Sequence, residues 1–206
     1  MAYGLEREKL ARAARALNAA CGRPNLPALI LMTDQARLPD PVEAARSLPR
    51  GSAIILRHTD AKGRAALAHR LSVIARERGL LLLVAGDARL AAGIGAHGLH
   101  LPEARAREAA HWRALRPEWF ITAAAHSARA LASARRAGAD AALLAPAFAT
   151  SSHPERKPLG ALQVRLMAAH AGLPVYALGG VNAATVARLR GANLAGIAAI
   201  EGLLAG

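Results

Sequence analysis

A single cysteine, Cys21, in 206 residues leaves nothing for an internal disulfide or a thiolate metal cluster, and it reads as a small buried or half-buried side chain. Aromatics make up 3% of the chain, two each of Phe, Trp and Tyr, so platforms on which nucleic-acid bases could stack are scarce. No apolar run reaches the roughly 18 residues that a membrane-spanning helix needs. Acidic residues are few as well, 14 against 27 Lys and Arg, giving a formal charge of +13. The arginines fall singly along helical stretches (Arg12, Arg15, Arg70, Arg76, Arg129, Arg136, Arg188), which favours a solvated basic face over a nucleic-acid interface. Such a field also suits small phosphorylated ligands. The expectation is a soluble cytoplasmic protein with neither a membrane nor a nucleic-acid partner, and a homo-oligomer is left open.

What the chain does have is a rhythm. Helical periodicity from Leu5 to Ala20, punctuated by Gly22 and Pro24, predicts a helical extension over residues 1–25. Residues 26–206 then alternate apolar runs with amphipathic ones. The apolar runs are LPALILMTD, SAIILRH, LLLLV, HGLHL, Phe120 to Ala124, Ala141 to Ala145, PVYALGG and AGIAAI. Runs apolar on both faces are the signature of buried parallel strands. Between them lie helical stretches, with Asp40 a candidate N-cap before Pro41 and Gly79 a helix stop. Further helices are expected over Glu103 to Leu115, Leu159 to Ala171 and AATVARLRG. Eight strands alternating with helices in about 180 residues predict an α/β fold, a single (β/α)8 TIM barrel with an extra N-terminal helix. An open doubly wound sheet is the alternative, but no GxGxxG follows the first strand.

In a barrel the residues just after each strand share one rim, where the active site lies. That rim collects Thr33 and Asp34, Arg57 to Thr59, Asp87, His100 and Glu103, His126, Thr150 to His153, Gly179 and Gly180, then Ile200 and Glu201. Two glycines after the seventh strand let backbone N–H groups approach a phosphate. Arg57 is suited to bidentate contact with an anion. His126, at the end of the fifth strand, is a candidate general acid/base near neutral pH. His58, His100, His126 and His153 on one rim also raise a metal site, but they follow no compact ligand spacing.

The order of these segments resembles the thiamin phosphate synthase superfamily, which includes the TenI-like thiazole tautomerases, over residues 28 to 204. LILMTD is similar to the family's first strand, and GDARLAAGIGAHGLHLPE to its third-to-fourth unit. AHSARALASARRAGADAALLAPAFATSSHPERKPLG matches its fifth and sixth units, and YALGGVNAATVARLRGANLAGIAAI its phosphate-binding end.

The resemblance implies a thiamin-biosynthesis barrel that binds thiazole phosphate through Arg57, Thr150, Ser152, His153, Gly179, Gly180, Ile200 and Glu201. Several synthase positions differ. Arg57 is kept, but Thr59 stands where synthases carry a lysine. Gly86, Asp87 and Ala88 replace Asn-Asp-Arg, and Arg105 aligns with an acidic residue of the metal pair. Thr150, Ser151, Ser152 and His153 replace Thr-x-Thr-Lys, with Lys157 close by in sequence. Asp87 alone, or with Glu103, is then the candidate Mg²⁺ ligand.

The tautomerase-like members carry a histidine where His126 stands, which implies proton transfer with no cofactor. The residues therefore favour a tautomerase-like enzyme acting through His126. A divergent synthase using Mg²⁺ to join aminopyrimidine pyrophosphate to thiazole phosphate is the alternative, and a non-catalytic phosphate-binding module is a third reading.

Overall fold

The computed structural model describes residues 2–58, 61–150, 156–200 and 203. Eight strands, β1 (Leu29–Met32), β2 (Ala53–Leu56), β3 (Leu81–Ala85), β4 (Gly98–Leu101), β5 (Phe120–Ala125), β6 (Ala141–Leu144), β7 (Val175–Ala177) and β8 (Gly196–Ala199), pair in sequence order, all parallel. The barrel closes where Leu29 and Leu31 of β1 register with Ile197 and Ala199 of β8. An open doubly wound sheet is thereby ruled out. β1, β2, β4, β6, β7 and β8 are buried along their whole length. Each strand faces both the barrel interior and the helical layer, which is why polar alternation is missing from these stretches.

The helices are α1 (Ala2–Ala20), α2 (Pro41–Arg46), α3 (Ala61–Arg78), α4 (Ala88–Gly93), α5 (Ala109–Leu115), α6 (Ala128–Arg136) and α7 (Gly160–His170). Asp40 caps α2 as its position before Pro41 suggests, accepting from the N–H groups of Val42 and Glu43. Gly79 ends α3 at a φ of +63°.

Two sequence expectations need correction. The stretch Glu103 to Leu115 divides into a 3-10 turn (Glu103–Glu108) followed by α5, and the unit before β8 is only a short 3-10 helix, Val186–Leu189.

α1 rests on the barrel's N-terminal end. Leu10, Ala14 and Leu17 face inward at helical spacing, and Asn18 Nδ2 donates to the carbonyls of Ala195 and Leu26, just ahead of β8 and β1. The opposite, C-terminal rim stays open. Among the described residues no helix is long and apolar enough to cross a membrane.

Candidate functional site

The C-terminal rim encloses a cavity of about 540 Å³, within the range of small-molecule sites. Met32, Leu143, Leu178 and Ala198 give it an apolar floor. Its polar groups come from opposite sectors of the barrel. Arg37, Arg57 and Arg64 belong to the β1 to β3 side, whereas Gly179 and Gly180 follow β7, with Thr150 and Arg156 after β6. No acidic side chain lines it among the described residues.

Arg57 and Arg37 are both anchored by Asp34, at the end of β1. Arg37 Nη2 donates to Asp34 Oδ2 at 2.9 Å, and Arg57 Nη2 shares the same oxygen. The hydrogen bond from Arg37 outweighs the cost of partial burial and, with the charges of both arginines, holds the Asp34 carboxyl down at about 2. The backbone N–H of Arg57 also donates to Thr33 Oγ1 at 3.0 Å. Arg64 reaches in from the first turns of α3 and donates through Nη2 to the carbonyl of Ala85, while its Nε is buried without a partner.

His126 follows β5 and lines the cavity. Glu103 Oε2 accepts from both its backbone N–H (2.9 Å) and its ring Nδ1 (2.6 Å). A carboxylate can only accept, so the bond fixes the proton on Nδ1 and leaves Nε2 as the acceptor of the neutral ring. Ser127 caps α6 by accepting from Ala130 N, which fixes the turn carrying His126.

His100 was expected on the rim and lies instead within β4, with 5% of its surface exposed, in the cavity wall. Its Nδ1 sits 2.9 Å from Thr122 Oγ1. Burial, aided by the Arg57 charge, lowers its pKa to about 4, so it is a neutral wall residue at pH 7. His58 instead meets Thr33 Oγ1 through Nδ1, at 2.8 Å.

The glycine turn is tight. Gly179 and Gly180 have φ values of +89° and +64°, and a Cβ on Gly180 would lie 2.3 Å from the Ala149 carbonyl oxygen. This holds the β7 turn against the segment after β6, and the Thr185 hydroxyl donates to the Gly180 carbonyl at 2.8 Å.

The structure therefore brings Arg57, His126, Thr150, Gly179, Gly180 and Ile200 around one cavity. Ser152, His153 and Glu201, with Thr59, lie outside the described residues. Lys157 is exposed and is not part of the described lining, to which its neighbour Arg156 contributes. Arg37, Arg64 and Arg156 were not singled out from sequence. Arg64, fourth in the helix-forming stretch from Ala61, looks like any other arginine in a chain this basic, and only tertiary packing turns it inward.

The described residues do not fit a magnesium site. Asp87 caps α4, its Oδ1 accepting from Leu90 N at 2.9 Å, and Glu103 is engaged by His126. Arg105, which the resemblance sets against an acidic metal ligand, forks onto Glu108 at 2.6 and 2.7 Å and donates to the Gly86 carbonyl at 2.8 Å. No group of three His, Cys, Asp or Glu side chains converges among the described residues, so the four-histidine metal site is not formed by those described.

Comparison with known proteins follows the same lines. Residues 29–203 match the family model described as thiamine monophosphate synthase. A thiamine-phosphate synthase from Chlorobium luteolum is 32% identical over 183 residues, covering 86% of this chain and 85% of that protein. A putative thiamine-phosphate synthase 2 from Aquifex aeolicus is 34% identical over 129 residues, 62% of this chain and 69% of its own length. Among solved structures, a thiamine phosphate pyrophosphorylase from Pyrococcus furiosus shares the fold, with a TM-score of 0.71, 23% identity and coverage of 86% of this chain and 88% of that one.

Proposed function

The chain belongs to the thiamine monophosphate synthase family, and from that premise we propose that it joins an aminopyrimidine, carried as its pyrophosphate ester, to a thiazole phosphate. The observation that carries this reading is the cavity with two anion-binding ends. Arginines stand on the β1 to β3 side and a glycine turn on the β7 side, with an apolar floor between them. A single phosphorylated ligand would need one such end; a condensation of two phosphorylated substrates needs both. The relatives' names support the same reading, the reverse of the order in which the individual residues placed synthase and tautomerase.

In this reading the Gly179–Gly180 turn, with Thr150, holds the thiazole phosphate. The arginine wall takes the pyrophosphate and stabilises the negative charge that grows on it as the carbon–oxygen bond to the pyrimidine methylene breaks. The thiazole nitrogen then forms the new bond to that carbon.

A second reading keeps one specific observation in its favour. The pair formed by His126 and Glu103 is built for moving a proton, and aromatising a thiazole carboxylate phosphate needs that and no metal. Two assays on the purified chain separate the readings. In one, both substrates are supplied together and thiamin phosphate is followed by chromatography. In the other, the thiazole tautomer is supplied alone and its absorbance is followed. The synthase reading predicts product in the first; product only in the second selects the tautomerase. Ligand binding without turnover in either returns the third reading, a phosphate-binding module.

A further inference from the structure

We propose that the diphosphate is held directly by the arginine wall, with Arg64 as a ligand, and not through a divalent cation. The inference rests on the synthase reading for the identity of the anion, and on the cavity for everything else. Magnesium binds hard, anionic oxygens with room for several waters. The described carboxylates on this side of the rim are already committed. Asp34 is held by Arg37 and Arg57, Asp87 caps α4, Glu103 is bonded to His126 and Glu108 is bonded to Arg105. A cation there would have to share a carboxylate that already holds an arginine, a histidine or a helix N-terminus.

The cavity is instead rich in fixed cations. Arg37, Arg57, Arg64 and Arg156 line it, and Asp34 offsets only part of their charge. A guanidinium presents planar, paired N–H groups that match phosphate oxygens and stays charged at any working pH. Arg64 carries an independent sign of an absent ligand. Its Nη2 is satisfied by Ala85, but its Nε–H is buried with no acceptor, an arrangement that folded proteins rarely leave uncompensated. A turn of the guanidinium toward a bound diphosphate would supply that acceptor. Arg64 also brings a cation to this side of the rim, where the resemblance leaves a lysine missing at Thr59.

The test is calorimetric binding of inorganic pyrophosphate to the full chain, once in metal-free buffer with EDTA and once with Mg²⁺. Affinities within about threefold of each other are expected, a difference well under the 1.4 kcal/mol that corresponds to tenfold. Arg64→Ala is expected to weaken binding by about tenfold or more, as loss of a charged hydrogen bond should. Arg64→Lys should recover only part of it, because the fork is lost. Arg76→Ala, an exposed arginine on the same helix and outside the cavity, should bind like the wild type. Circular dichroism and thermal unfolding establish that each variant folds.

Binding that requires Mg²⁺, or an Arg64→Ala variant that binds as tightly as wild type, overturns the inference. The outcomes also separate from those of the reaction. Metal-free pyrophosphate binding without any coupling keeps the subsite and removes the synthase. Coupling with Mg²⁺-dependent pyrophosphate binding keeps the synthase and removes the subsite.

Discussion

Gly180→Ala is the sharpest probe of the phosphate-binding turn, because its cost divides into two parts that a control variant can separate. The first is conformational. Gly180 has a φ of +64°, where a residue with a Cβ loses roughly 1–2 kcal/mol. The second is steric. The new Cβ would lie 2.3 Å from the Ala149 carbonyl oxygen and 2.8 Å from Phe148 atoms that include its carbonyl carbon, and backbone cannot rotate out of the way as a side chain can. Gly138 shares the first cost and not the second, having a φ of +79° and nothing within 4 Å.

Gly138→Ala should therefore lose about 1 kcal/mol, and Gly180→Ala about 3 kcal/mol in total, once the strained turn is added. For a chain of this length, about 3 kcal/mol is roughly 6–12 °C of melting temperature. Urea unfolding measures the difference. Unchanged m-values would mean that both variants unfold the same structure. Phosphate affinity, measured on the folded variants, should fall about tenfold or more in Gly180→Ala and stay unchanged in Gly138→Ala. Equal stabilities in the two variants, with unaltered phosphate binding, would refute the reasoning.

Other perturbations act on separate parts of the site. His100 has a folded pKa near 4 against an ordinary 6.5, so the unfolded chain takes up its proton first as the pH falls. Stability from this residue is complete above pH 6.5 and drains away toward pH 4, by up to about 3 kcal/mol. Urea midpoints across that window should fall more steeply for the wild type than for His100→Gln; parallel curves would contradict the assignment. Tyr176 is wholly buried with a hydroxyl that has no partner, so Tyr176→Phe should be neutral or stabilising by up to about 1 kcal/mol, and a clear loss would reveal an interaction not accounted for. If the chain carries the tautomerase reaction, His126→Ala should slow it by about 10²-fold or more while leaving phosphate affinity intact, and an unchanged rate would end the proposed role. Asp34→Asn removes the carboxylate that anchors two arginines, and the resulting drift of Arg57 should weaken pyrophosphate binding despite the gain in net positive charge; tighter binding would mean that charge outweighs orientation.

The barrel was legible because its strands are buried on both faces. LILM, AIIL and AALL carry no polar alternation, and each is followed in the sequence by a helix-forming stretch, the first with a recognisable start at Asp40. Rim placement followed from strand ends alone, which brought Arg57, His126, Thr150 and the two glycines to one cavity. The same rule misled at His100, where a strand that runs on to Leu101 turns the ring into the barrel wall. Contacts between distant parts of the chain left no local trace. His126 and Glu103 are 23 residues apart, and Arg64 and Ala85 are 21 apart, so neither pairing has a spacing to read. Arg105 aligned with a lost metal ligand, but only the structure gives it a partner in Glu108 and a contact at Gly86.

Two phosphorylated substrates meeting in one cavity is the central claim, and product stoichiometry tests it most directly. The purified chain is given aminopyrimidine pyrophosphate and thiazole phosphate together, and thiamin phosphate and pyrophosphate are quantified over time. Both products are expected in equal amounts, with a strong loss of both in Arg57→Ala. Saturable binding of thiazole phosphate with neither product formed, with or without Mg²⁺, would contradict it.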